Sequence, residues 1–418
     1  MRYGLSGVDG TPLVLESGRG SVVFDVEGRQ YLDLFAGAGR CLLGHGHPEF
    51  AAAVAEQAAR LAVSRHATAA RVAYIERLME LVPTGLDHIT LFSTGSEAAD
   101  AAVRIARRST DRQGLIVFQG AFHGRTTGAA PLTDPVWRPT GSSEEPFVHR
   151  IPYPAVANGS AHRPEQVEEA IRQLHRVAAG SPVEIAAIVI EPVQGTAGNR
   201  RPIQGFLSAV EQAARDLRAL LVVDEILAGF GRSGQMFVST AEGVQPAMML
   251  IGKGMGNGVP VSALLARGSV VQGSAFAEKG AMSSTFGGNP LAVAASAVTL
   301  DVLIRDDLPR AAAGLGTRWS QALREELGEH PMVTQIHGLG LMAGIELGGP
   351  WREGVDGRRR TLEVLMQEQG LLVGMSGDFL RLNPPLVTSW GELEAATSAL
   401  RTALDGFLDM STAELEGR

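Results

Sequence analysis

Four short apolar runs in the middle of the chain do not alternate between apolar and polar residues: GLIVF (Gly114–Phe118), AAIVI (Ala186–Ile190), ALLVV (Ala219–Val223) and MMLI (Met248–Ile251). A strand with one wet face alternates, so unbroken runs of this length read as strands buried on both faces, the mark of a mainly parallel sheet covered by helices. Each run is followed by polar or glycine residues and then by helical periodicity, so the fold class is α/β. Upstream, SVVFDVEGRQYLDL (Ser21–Leu34) alternates around a break at Glu27-Gly28 and predicts a hairpin. A helix is expected over Glu49–Val63, with Val54, Ala58 and Leu61 on one face.

After about Leu300 the pattern changes to longer helical stretches (Asp307–Glu329, Arg358–Gln369, Trp390–Leu408) and a few strand-like runs (Leu341–Leu347, Leu371–Gly374, Phe379–Asn383), an α+β lobe. No low-complexity linker or internal repeat intervenes, so tight packing of the lobes is expected. The expected division is a segment 1–55 that belongs to the small lobe, a large domain over 56–300 and a small C-terminal domain over 301–418.

With 37 Lys+Arg against 45 Asp+Glu the formal charge is −8, so no overall basic field exists to hold nucleic acid. The single cysteine, Cys41, cannot form an internal disulfide, and no Cys/His spacing suggests structural zinc. The N-terminus MRYGLSGVDG lacks a basic stretch followed by an apolar run, and no window approaches the ~18 apolar residues of a membrane span. A cytoplasmic protein without nucleic-acid or membrane partners is expected.

In open α/β sheets ligands bind beyond the carboxyl ends of the strands. The residues that follow the apolar runs are Glu191, Asp224, the stretch QGAFHGR with Phe122, His123 and Arg125, and Lys253 between Gly252 and Gly254. Only two of the basic residues are lysines, Lys253 and Lys279. Lys253 follows a strand-like run and has no neighbouring acid, whereas Lys279 follows Glu278 and reads as a solvated helix end. A nucleophilic lysine needs a desolvated setting to lower its pKa, which favours Lys253.

Pyridoxal phosphate requires an amine to hold its aldehyde as a Schiff base, an anion beside its ring nitrogen, a phosphate cradle and a flat apolar partner. Lys253 supplies the first and Asp224 the second, although a strand-end carboxylate also serves as a helix cap. Thr94-Gly95-Ser96 opens a helix bearing Ala98, Ala101, Ala102 and Ile105, where exposed N–H groups favour an oxyanion, or simply an N-cap without ligand. Phe122 is placed to stack on the ring or to pack in the core.

Other glycine- and histidine-bearing stretches are weaker. HGLGLMAG (His337–Gly344) approaches a dinucleotide fingerprint but lies late in the chain without a clear acidic partner. GKGMGNG (Gly252–Gly258) lacks P-loop order, and GHGHP offers His45 and His47 without further ligand spacing.

The motifs YLDLFAGAGRCLLGHGHP, FSTGSEAADAAVRIAR, GAFHGRT, IEPVQG, VVDEILAGFGRSG, IGKGMGNGVP, SSTFGGNP and LRLNPPL occur in one order from about Gly20 to Leu386. The set resembles the class III pyridoxal-phosphate aminotransferases of fold type I, and within them the 4-aminobutyrate branch. The resemblance implies a Schiff-base role for Lys253, a pyridinium contact for Asp224, a phosphate cradle at Gly95 and Ser96, ring stacking by Phe122, and cofactor contacts for His123 and Glu191. It further implies that Thr285 completes the phosphate site of a neighbouring subunit, and hence a homodimer with active sites at the interface. Arg125 resembles the arginine that holds the far carboxylate of an ω-amino acid, and Arg381 the one that holds the α-carboxylate of a 2-oxo acid; for each, a plain salt bridge is the other reading.

Three departures bear on substrate. Thr196 stands where those relatives usually have the glutamate of EPVQGE, Leu227 where glutamine is common, and Ala38 and Arg40 where bulkier or apolar residues are usual. A wider, more basic pocket for a larger or more acidic donor than 4-aminobutyrate is expected. The activity expected is ping-pong transamination, moving the amino group of an ω-amino acid or related amine donor to a 2-oxo acid. Alternatives are a decarboxylase, epimerase or aminomutase of the same fold and, from another class, a nicotinamide-dependent oxidoreductase, which leaves Lys253 unexplained.

Overall fold

The computed structural model describes residues 13–64, 66–142, 145–156, 163–272, 275–278, 280–351 and 358–410. Lys279 and the first 12 residues of the N-terminal segment lie outside them. In chain order the strands are β1 (Leu15–Arg19), β2 (Val22–Asp25), β3 (Gln30–Asp33), β4 (His88–Phe92), β5 (Gly114–Phe118), β6 (Val148–Ile151), β7 (Ile185–Ile190), β8 (Leu220–Asp224), β9 (Met248–Ile251), β10 (Ser262–Ala266), β11 (Val333–Leu339), β12 (Met342–Leu347), β13 (Leu371–Leu372), β14 (Gly374–Ser376) and β15 (Phe379–Leu382).

The four non-alternating runs are β5, β7, β8 and β9, and they lie side by side in a seven-stranded sheet of order β4-β10-β9-β8-β7-β5-β6. The pairs β5/β6, β5/β7, β7/β8 and β8/β9 are parallel, and β10 runs antiparallel to both β4 and β9. Successive side chains go to opposite cores, as the strand period of two requires. Leu115, Val117, Val189, Val222 and Leu250 pack with Ala98, Ala101, Ala102 and Ile105 of the helix Gly95–Thr110. Ile116, Phe118, Ile188, Ile190 and Val223 pack on the other face with Leu174 and with Phe206, Leu207 and Val210. Burial of both faces is why the runs are continuous.

The helix Gly95–Thr110 begins in a capping box: Thr94 Oγ1 accepts the Glu97 N–H at 3.3 Å, and Glu97 Oε2 accepts the Thr94 N–H at 2.8 Å. Such a cap contributes about 1 kcal/mol and fixes where the helix opens.

The expected hairpin is present, with β2 and β3 antiparallel and Gly28 at φ +80° in the turn. Asp25 accepts the N–H groups of Glu27 and Arg29, which closes that turn. Strand β3 then pairs in parallel with β13, Leu32 opposite Leu371, so the first strands share a sheet with the C-terminal part of the chain. A third sheet, β11-β12-β15-β14, is antiparallel throughout.

Two local expectations differ. The run Leu371–Gly374 divides between two sheets, β13 pairing with β3 and β14 with β15, because Val373 falls between them. The helix expected over Glu49–Val63 spans Pro48–Arg60 and buries none of its residues within this chain. Leu61 leaves the helix with extended backbone (φ −163°, ψ 109°), so its side chain turns off the expected face. The helix Pro290–Arg305 runs without a break through residue 300 and leads into the C-terminal part of the chain.

Candidate active site

Strand adjacency brings the strand-end residues together. Asp224 is the last residue of β8, Glu191 follows β7, and Lys253 stands two residues beyond β9, so three neighbouring parallel strands deliver two carboxylates and an amine to one rim. The loop after β5 carries Phe122 and His123 onto the same rim: Glu191 Oε1 accepts the Phe122 N–H at 2.8 Å, and His123 Nδ1 lies 2.7 Å from Asp224 Oδ2.

Asp224 and His123 are buried, and Asp224 Oδ1 also accepts the Ile226 N–H at 3.0 Å. An ionised carboxylate has about four lone-pair positions, so these two donors orient Asp224 and leave acceptor capacity for a ring nitrogen. Burial opposes charge on the His123 ring, but the hydrogen bond and charge of Asp224 outweigh it and hold its pKa above the ordinary value. Burial raises the Glu191 carboxyl, while N–H groups of Phe122 and Gly195 solvate it.

Lys253 adopts a left-handed backbone (φ +44°), a conformation that costs a non-glycine residue about 1–3 kcal/mol and is concentrated at functional sites. Its ammonium makes no hydrogen bond or ion pair among the described residues. Burial first, then the Arg381 guanidinium, depresses its pKa to about 8.

Gly95 and Ser96 open the helix Gly95–Thr110 beside this rim; a Cβ on Gly95 would come within 2.7 Å of Ile226 Cδ1. Ser96 Oγ accepts the Arg125 N–H at 3.2 Å. The exposed Arg125 guanidinium stands 5.6 Å from the centre of the half-buried Phe122 ring. Arg381, on β15, is buried with Nε unpartnered, and burial lowers its pKa to about 10. Exposed Arg40 folds back to donate from Nε to the Gly37 carbonyl, in a loop where Ala36, Gly37, Ala38 and Gly39 all have positive φ. Thr285 is exposed, as is Phe286 beside it, and Ser284 donates to Glu97 Oε1 at 2.9 Å.

The comparisons agree with this geometry. The sequence profile of the family described as "Aminotransferase class-III" matches residues 4–404. The chain belongs to the class III aminotransferases. It is 36% identical over 398 residues to an acetylornithine aminotransferase of Methanothermobacter thermautotrophicus, covering 93% of each chain. Among solved structures it superposes on a thermostable (S)-enantioselective omega-transaminase from Thermomicrobium roseum with TM-score 0.87 and 30% identity, over 96% of this chain and 94% of that one. An omega transaminase of Pseudomonas jessenii in complex with PMP gives TM-score 0.87 at 25% identity, over 97% and 96% of the two chains.

As a class III aminotransferase the protein depends on pyridoxal phosphate, and its residues fit that group: a half-buried amine without a hydrogen-bond partner, a carboxylate with acceptor capacity to spare, and a helix start at Gly95 and Ser96.

Sequence reasoning missed two residues of this aminotransferase's rim, Ile226 and Thr133. Ile226 lies against both Gly95 and Gly252, at the end of β8 where its apolar character gave no cue. Thr133 Oγ1 accepts the N–H groups of His123 and Gly124, at 3.0 and 3.2 Å, and donates to the Gly124 carbonyl at 2.9 Å, so it shapes the loop carrying Phe122. Nothing local marks it. Leu227 packs so closely on Gly39 and Gly195 that a Cβ at either would overlap it, joining the first glycine loop to the loop after β7.

The weaker candidates resolve differently. His45 Nε2 lies 2.9 Å from Asp33, His47 caps the helix Pro48–Arg60, and no group of three or more potential metal ligands exists among the described residues. HGLGLMAG forms the antiparallel hairpin β11–β12 and not a strand-to-helix turn, so it lacks the context of a dinucleotide site. Among the described residues no helix is long and apolar enough to cross a membrane.

Proposed function

We propose that this aminotransferase takes its amino group from an ω-amino acid or a related primary amine and delivers it to a 2-oxo acid by a ping-pong reaction. The observation that carries the reading is the setting of Lys253: an unpaired amine, depressed to about 8, within the field of Arg381, the group suited to a 2-oxo acid carboxylate.

Pyridoxal phosphate, when bound, supplies an electron-withdrawing ring and carries the amino group between the two substrates. Lys253 Nζ, whose depressed pKa of about 8 leaves a neutral fraction available at physiological pH, accepts a proton from the amine-bearing carbon of the donor and returns it in the opposite half-reaction. Asp224, oriented by His123 and the Ile226 N–H, presents its carboxylate to the ring nitrogen. Gly95 and Ser96 offer the helix start to the phosphate, and Phe122, His123 and Glu191 line the ring. Arg381 holds the α-carboxylate and Arg125 the far carboxylate.

Thr285 reaches the phosphate of a neighbouring subunit, which makes the protein a homodimer; exposure of Thr285 and Phe286 in the single chain supports this. The pairing of β3 with β13 supports a small lobe built from residues 1–55 and 301–418 around a cofactor domain of residues 56–300. A cytoplasmic setting completes the reading.

The donor is an ω-amino acid larger or more acidic than 4-aminobutyrate. Arg40 makes no ion pair among the described residues and its charge reaches Lys253, and Thr196 brings no carboxylate toward Arg381. N-acetylornithine, the donor named in the relative's description, belongs in the same panel.

The test is the visible spectrum of the loaded enzyme recorded with 4-aminobutyrate, N-acetylornithine, ornithine, lysine and glutamate. Bleaching by an ω-amine and recovery with 2-oxoglutarate is expected. Bleaching by glutamate alone would overturn the donor assignment. Arg40→Ala should lower kcat/KM more for acidic donors than for neutral ones; equal losses for all donors would remove Arg40 from the site.

A further inference from the structure

Arg232 is completely buried, yet no carboxylate lies within ion-pair distance of it among the described residues. A buried guanidinium without a paired carboxylate carries a desolvation penalty that an apolar side chain of similar volume would avoid, and the more distant Asp33 charge only partly offsets it here. Its hydrogen bonds show what the group does instead. Nη1 donates to the Leu341 carbonyl at 3.1 Å and also to the Pro384 carbonyl, and the Arg232 carbonyl accepts the Leu341 N–H at 3.1 Å.

Those two partners bracket the substrate arginine. Leu341 leads into β12, whose Gly344 stands opposite Arg381 of β15, and Pro384 lies three residues beyond Arg381 in the chain. A second tether comes from the loop after β7: Asn199 Nδ2 donates to the Ala343 carbonyl at 2.8 Å, and Gly344 packs on Gly198 with no room for a Cβ. Thus the loops that leave Asp224 and Glu191 hold the strand beside Arg381 and the segment after it. The Arg381 side chain makes no hydrogen bond of its own among the described residues, so the backbone register of β15 sets where its guanidinium stands.

We propose that Arg232, seconded by Asn199, is a positioning residue for Arg381, fixing the carboxylate-reading guanidinium relative to the cofactor's strand ends. Arginine suits this task because Nη1 of its rigid, planar guanidinium carries two N–H donors and so reaches carbonyls on two different elements at once. The proposal rests on the reading of Arg381 as the group that holds the 2-oxo acid carboxylate.

The experiment measures, on loaded enzyme, kcat/KM for 2-oxoglutarate and for hexanal, an acceptor with no carboxylate. Displacing a substrate-binding group by about 1 Å can cost about 100-fold in rate, so Arg232→Met should lower the 2-oxoglutarate/hexanal ratio at least about tenfold, mainly through KM for 2-oxoglutarate. Arg232→Lys, which keeps a cation able to reach a carbonyl, should restore part of the ratio. Asn199→Ala removes only the Ala343 tether and should lower the ratio in the same sense, which keeps the test open if Arg232→Met fails to fold. A ratio within about twofold of the parent in the folded variants, with both acceptors losing rate alike, would mean a purely structural role and overturn the proposal. Arg381→Ala is measured in parallel. If it leaves the ratio unchanged, the carboxylate reading falls and the positioning proposal with it; if it collapses the ratio while the Arg232 and Asn199 variants do not, only the positioning proposal falls.

Discussion

Nδ1 of His123 lies 2.7 Å from Oδ2 of Asp224, and both side chains are buried. One comes from the loop after β5 and the other from the tip of β8, so the contact joins two strands' ends across β7 and fixes the carboxylate's orientation. Asp224→Asn removes the charge while keeping the shape. Its turnover should fall by about 100-fold or more, as when a preorganised charge is lost at a reacting centre, with the far-UV circular dichroism unchanged. A near-normal rate would show that the ring nitrogen has another partner.

Lys253 provides a pH signature. On the proposed reading its amine must be neutral to bond the cofactor's aldehyde, and its pKa is depressed to about 8, so the rate at which the enzyme freed of cofactor takes up pyridoxal phosphate should rise through about pH 8 and then level off. Because the Arg381 charge contributes to the depression, Arg381→Ala should move that midpoint to higher pH. Lys253→Ala should bind cofactor without covalent attachment and lose turnover; stopped-flow absorbance and a turnover assay check both.

Glu225 is completely buried, accepts the N–H and hydroxyl of Ser239 on Oε1, and leaves Oε2 without a partner. Burial raises its pKa from 4.5 to about 7. Between those values the unfolded chain gives up a proton that the folded chain retains, so this group lowers stability as pH rises from about 4.5 to about 7 and adds no further change above that. Glu225→Gln should therefore gain stability over the parent across that window, by about 3 kcal/mol at most. Urea melts at pH 5 and at pH 8 measure the difference; an equal gap at both would contradict it.

Two glycines should respond in opposite directions to the same substitution. A Cβ at Gly344 would overlap the carbonyl of Gly198, a backbone atom that cannot rotate away, so Gly344→Ala should cost about 1–3 kcal/mol and weaken the seating of β12. Gly314, exposed in the helix Leu308–Leu327, has open space around its would-be Cβ. Gly314→Ala should stabilise by about 0.5–1 kcal/mol, and thermal melts of the two variants check the contrast.

Much of the candidate site was legible because its residues stand just beyond strand ends. Non-alternating runs announce strands buried twice over, and the residue after each run is then known to face the ligand rim. With only two lysines, the candidate amine was nearly fixed by elimination. Thr133 and Ile226 escaped because a hydroxyl in a loop and an apolar residue after a strand are commonplace; their importance lies in which backbone groups they meet.

The sequence by itself determined the four doubly buried strands, the hairpin at Glu27-Gly28, the α/β class and the resemblance that led to the aminotransferase family, since all of these rest on patterns within a few residues or on an ordered set of motifs. Only the tertiary structure decided that β5, β7, β8 and β9 are neighbours, that β10 runs antiparallel, that Leu371–Gly374 divides between two sheets, and that Arg232 clamps the strands around Arg381. Strand pairing and the satisfaction of buried polar groups depend on contacts between residues far apart in the chain, and local propensity carries no information about which distant partner a backbone group will meet.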